Sequence, residues 1–133
     1  ASSRLCPNVP AQHAIQAALG GHQTIDDLVA PGGRLLEQRD AAVQGFRSIP
    51  GVSCVVPKGA LYVFPRLDPE VHEIHDDAQL VLDLLLQEKI LVVQGTGFNW
   101  PDTDHLRIVT LPWARDLVVA IERIGNFLAS YRQ

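Results

Sequence analysis

The chain has 133 residues, 47% hydrophobic and 20% charged, the make-up of one ordinary globular domain, which excludes disorder over most of its length. Eleven Lys and Arg against fifteen Asp and Glu give a net charge of -4, with no basic field for nucleic acid or an anionic membrane. No window reaches the roughly 18 consecutive apolar residues of a membrane span, and the start lacks a basic-then-apolar leader, so the expected compartment is the cytoplasm. Pro10 ahead of Ala14, Ile15, Ala17, Ala18 and Leu19 predicts a short helix over about 10–21, stopped at Gly20 and Gly21. A turn at Pro31, Gly32 and Gly33 leads into a longer helix, about 33–48. Its Leu35, Leu36, Ala42, Val43, Phe46 and Ile49 follow three-and-four spacing before Pro50 and Gly51 end it. VSCVV (52–56) and ALYVF (60–64) read as two strands joined tightly through Pro57, Lys58 and Gly59.

Residues 65–75 read as a polar loop. Asp76 and Asp77 then favour a helix start by capping and by complementing the helix dipole. Ala78, Val81, Leu82 and Leu85 give that helix its apolar stripe, up to about Lys89. The run ILVVQ predicts a buried strand, GTGFNWPDTD a loop, and HLRIVTL a strand over 105–111. In the last helix Leu117, Ile121, Ile124, Leu128 and Tyr131 form a one-sided stripe, away from Arg115, Asp116, Glu122 and Arg123. The order of elements is that of an α+β fold, a mainly antiparallel sheet with helices packed on one face.

Arg107 stands out, because it interrupts an apolar strand between Leu106 and Ile108 and shares a strand face with Val109 and Leu111. A guanidinium turned inward would need an anion, and a carboxylate matches its planar fork. The alternatives are a solvent-facing Arg or one paired with a structural Asp. The loop from Gln94 to Pro101 offers Gly95, Thr96, Gly97, Phe98, Asn99 and Trp100. Glycines permit close backbone approach and aromatic rings can wall a pocket, or the rings can simply pack back on the core. It is no nucleotide fingerprint, since a third glycine and a following helix are missing. His72, His75, Asp76 and Asp77 read as a solvated helix start, with a metal site as the remote alternative. Tyr62 either presents its hydroxyl to a ligand or is a half-buried strand residue. Cys6 and Cys54 read as ordinary thiols; one bridge between them is the single disulfide their number allows.

The runs RLCPNVPAQHAIQAALGG, PGGRLLEQRD, IPGVSCVVPKGALYVFP, LLLQEKILVVQGTGFNWP and HLRIVTLP, in this order, resemble the C-terminal part of class I aminotransferases of fold type I, and among these the bacterial glutamate-pyruvate (alanine) aminotransferases. The resemblance spans essentially the whole chain. It implies an enzyme that uses pyridoxal 5'-phosphate (PLP) to move an amino group between L-alanine or L-glutamate and the 2-oxo acids pyruvate or 2-oxoglutarate. It implies a homodimer, with residues 1–31 the end of the large cofactor domain and 32–133 the small C-terminal domain. By the same resemblance Arg107 grips the substrate α-carboxylate, Gly95, Thr96, Gly97 and Phe98 line the substrate side of the cleft, and Asn8 lies in the stretch approaching the cofactor phosphate of the partner subunit.

The family's Schiff-base Lys belongs to a Ser-x-x-x-Lys motif upstream, and this chain has only Lys58 and Lys89, neither in such a context. The start, ASSRLCPNVPAQ, and the absence of Met also read as the interior of a longer chain. The expectation is therefore a C-terminal fragment, without a catalytic residue, inactive and not binding PLP by itself. The alternative is a non-catalytic regulatory α+β module that senses an amino acid through Arg107. An open reading frame continuing upstream into a PLP-binding domain would separate the two.

Overall fold

The computed structural model describes residues 8–133. Five helices, α1 (Val9–Gly20), α2 (Thr24–Val29), α3 (Arg34–Arg47), α4 (Asp77–Glu88) and α5 (Ala114–Ser130), accompany five short strands. These are β1 (Val52–Ser53), β2 (Tyr62–Val63), β3 (Arg66–Leu67), β4 (Val93–Gln94) and β5 (Leu106–Val109). Every ladder is antiparallel: β1 pairs with β3, and β5 is the middle strand between β2 and β4. Helices α3, α4 and α5 cover one face of these strands, which is the α+β arrangement expected.

The core forms where the stripes meet. Ala42, Val43 and Phe46 of α3 and Leu117, Ile121, Ile124 and Leu128 of α5 pack with Val63, Leu106 and Ile108 of the sheet. Along β5 burial alternates, with Leu106 and Ile108 on the core and Arg107 and Val109 facing away. Tyr131 stacks on Phe127, and its hydroxyl donates to Asp83 at 2.8 Å, fastening the end of α5 to α4. In α4 the stripe lies elsewhere than spacing suggested. Leu80, Val81 and Leu84 are buried, whereas Ala78 and Leu82 are exposed, because leucines stand on nearly every side and periodicity alone cannot choose among them.

Other differences have local causes. The two runs read as a tight strand pair do not pair with one another. Pro57 lacks an N–H, Ala60 adopts a positive φ of 60°, and Val55 and Val56 are exposed, so the connection opens and β2 joins β5 instead. The polar loop contains β3, whose Leu67 is buried opposite Val52. The six-residue α2 was not expected; it is short, with Asp26 and Asp27 in its first turn, and packs on α3. Cys54 is a buried free thiol that burial pushes above its usual pKa, and Cys6 lies outside the described residues.

Candidate carboxylate site around Arg107

Register places Arg107 opposite Val93 of β4, on the sheet face turned away from the helices. The sharing of a face with Val109 is as expected, but that face is the outer one. No structural carboxylate answers the guanidinium: no ion pair among the described residues includes Arg107, and its Nε is buried without a hydrogen-bond partner. What it meets are two aromatic rings. The guanidinium carbon lies 4.2 Å from the centroid of Phe98 and 4.8 Å from that of Tyr62. Each such contact stabilises a cation by about 0.5–2 kcal/mol, depending on how dry it is. Tyr62 is the half-buried strand residue of the two readings, and its ring is what touches Arg107.

Phe98 arrives through the turn that follows β4. Residues Gly95–Phe98 form a 3-10 turn, where the sequence suggested an irregular loop, and Asn99 closes it in the left-handed conformation. The turn is tied at both ends. Gly95 N donates to the His105 carbonyl at 2.8 Å, and Trp100 Nε1 donates to Asp104 at 3.0 Å. Its middle is held by Asp77, whose place in the sequence predicts a solvated helix start. Asp77, buried at the beginning of α4, accepts from Thr96 N at 3.0 Å and Thr96 Oγ1 at 2.7 Å. The hydroxyl of Thr96 is therefore turned to α4, and its part in the site is to fix the turn. The bare sequence carried no signal that would join Asp77 to a turn nineteen residues away.

The two glycines differ. A Cβ on Gly95 would stand 2.9 Å from the His105 carbonyl oxygen and 3.1 Å from the His105 Cβ, whereas on Gly97 the nearest atom would be Gln94 Cδ at 3.5 Å. Gly95→Ala should therefore cost about 1–3 kcal/mol as the turn is pushed off β5. Gly97→Ala should stay within about 0.5 kcal/mol. Thermal melts of the two variants check this, and equal melting temperatures would contradict it.

Beneath the turn lies a polar hub. Asp104, 8% exposed, accepts from Arg66 Nε at 2.8 Å, His105 Nδ1 at 2.6 Å and Trp100 Nε1 at 3.0 Å. Burial by itself would raise the Asp104 pKa, but the hydrogen bonds from Arg66, His105 and Trp100 outweigh it and hold the carboxyl below the usual range. Phe64 stacks on His105 at 4.7 Å and Trp100 closes on the same ring at 4.4 Å. The remaining candidates lie apart. His72 donates Nε2 to the Pro50 carbonyl at 2.8 Å and His75 is exposed, so with Asp77 bound to Thr96 the residues proposed for a metal turn to separate partners. Asn8 caps α1, accepting from Ala11 N at 3.4 Å.

The comparisons with known proteins place this mixed unit of helices and antiparallel strands in a family. Residues 1–124 match the model of aminotransferase class I and II, and the chain belongs to that family. Over all 133 residues it is 77% identical to the alanine aminotransferase of Mycobacterium tuberculosis strain H37Rv, spanning 31% of it. It is 59% identical to the glutamate-pyruvate aminotransferase AlaA of Escherichia coli K12, spanning 33%. The crystal structure of an aminotransferase from Escherichia coli superposes with a TM-score of 0.90 at 58% identity, over 99% of this chain and 33% of that one. The alanine aminotransferase of Pyrococcus furiosus gives 0.76 at 35% identity, over 96% of this chain and 31% of that one. The chain thus spans about a third of the length of these relatives.

The family implies PLP as cofactor. The residues present do not compose its covalent anchor. Lys58 is exposed on the connection ahead of β2, and Lys89, the C-cap of α4, gives its Nζ to the Leu86 carbonyl. Asn8 has its side-chain oxygen engaged in the cap.

Proposed function

We propose that this chain supplies the substrate-carboxylate grip of an aminotransferase that moves an amino group between L-alanine or L-glutamate and pyruvate or 2-oxoglutarate. The observation that carries the proposal is the Arg107 guanidinium, poised between two rings with no anion of its own. A substrate carboxylate completes it. Two parallel N–H···O bonds fix the plane of the substrate as well as binding it, so Arg107 orients the reacting carbon without taking part in the chemistry. Gly95, Thr96, Gly97 and Phe98 shape the wall beside it, and Asn8 sits at the approach to the cofactor phosphate of a partner subunit.

In this reading PLP and its lysine belong to a large domain, the working enzyme is a cytoplasmic homodimer, and the chain alone is inactive and does not hold PLP. Residues 1–31 belong to the large domain and 32–133 to the small one. That α1 buries no residue while exposing Val9, Ile15 and Leu19 supports this for α1. Helix α2, within the same span, packs on α3. No helix among the described residues is long and apolar enough to cross a membrane.

The test compares L-alanine with ethylamine, which lacks only the carboxylate, as amino donors for the full-length enzyme. The native enzyme should prefer L-alanine strongly, and Arg107→Ala should erase most of that preference. Undiminished preference in the variant would refute the role given to Arg107.

A further inference from the structure

We infer that Phe98 and Tyr62 are positioning residues for Arg107: their rings hold the guanidinium in place without taking up its N–H donors, as a structural carboxylate would. This presupposes that Arg107 is the carboxylate grip. A cation on a partly dry surface needs something to hold it, and the usual holder is an Asp or Glu. Such a partner would occupy the fork, and a substrate would have to break that pair before binding. Aromatic faces stabilise the same cation without taking a single hydrogen bond from it. The structure has the second arrangement, with the two rings at 4.2 and 4.8 Å and Nε without a partner.

Neither ring is there to fill the core. Phe98 is 46% exposed and Tyr62 43%, so nearly half of their burial value is unused where they stand. Each is instead delivered by a rigid element. Tyr62 is set by its pairing with Val109 on the same strand that carries Arg107. Phe98 is set by the 3-10 turn, whose shape rests on the two bonds from Thr96 to the buried Asp77. Asp77 therefore reaches the site through Thr96 and the turn, and loosening that latch should free the ring over Arg107.

The experiment uses the full-length enzyme and steady-state kinetics with L-alanine. Phe98→Leu keeps apolar bulk and removes the π face; Phe98→Tyr keeps the face. We expect the first to raise KM about fivefold with kcat within about twofold, and the second to stay within about twofold of native KM. Thr96→Val should move KM in the same direction as Phe98→Leu, and Thr96→Ser should not. Tyr62→Leu against Tyr62→Phe gives the same contrast from the other ring, and decides the matter if Phe98→Leu does not fold. Arg107→Lys is run beside them. If it raises KM while the leucine variants leave KM native, or if leucine and aromatic variants are impaired alike, the positioning role is overturned and the carboxylate grip stands. If Arg107→Lys itself leaves KM unchanged, the grip fails and the role of the rings fails with it.

Discussion

Arg107→Lys in the full-length enzyme is expected to lower kcat/KM for L-alanine about 10²-fold, most of it through KM. Lysine keeps the positive charge but presents an ammonium on a flexible stem, so the two-pronged bond to a carboxylate becomes one bond of loose direction. Hydrogen bonds between charged groups contribute about 1.5–3 kcal/mol each, and each 1.4 kcal/mol is a factor of ten, which sets the size of the loss. Arg107 has no ion-pair partner to release and a lysine ammonium can keep part of its contact with the two rings, so little of the effect should come from misfolding. The melting temperature should therefore move by no more than a few degrees. A variant with native kinetics toward both L-alanine and pyruvate would contradict the assignment.

The second large effect is on stability. Asp104→Ala should cost about 2–4 kcal/mol, because it leaves Trp100 Nε1 and His105 Nδ1 without their acceptor beneath the site. Arg66, half exposed, recovers water and adds little. The pH dependence has a definite sign. The Asp104 carboxyl has a lowered pKa in the folded chain, so its contribution is present above the unfolded value near pH 3.9 and is lost as pH falls through the folded value below it. The gap in melting temperature between native and Asp104→Ala protein should hold from neutral pH down to about pH 4, then narrow below that. A gap that instead narrowed toward alkaline pH would contradict the role of Asp104.

Much of the framework was legible in the chain. The stripes of α3 and α5 are buried largely as their spacing requires, since a helix face repeats every three or four residues whatever it packs against. The break at Pro50 and Gly51, the cap at Asp76 and the α+β order also follow from local chemistry. Where local signals are degenerate, reading fails. A leucine-rich α4 does not say which side is inside, and a two-residue strand such as β3 has too little pattern to be seen.

The site divides along the same line. By itself the sequence determined that Arg107 is the odd residue of its strand and that Gly95, Gly97 and Phe98 lie in a special loop, because a charge in an apolar run and paired glycines are visible one residue at a time. The planar fork of Arg107 and the likeness to the aminotransferases both suggested a carboxylate as its ligand. Only the tertiary structure decided that Arg107 faces outward, that rings of Phe98 and Tyr62 hold it in place of a carboxylate, and that Asp77 fastens the turn. These are meetings between residues far apart in the chain. Strand pairing and helix docking set them, and no local propensity encodes which distant side chain will be the neighbour.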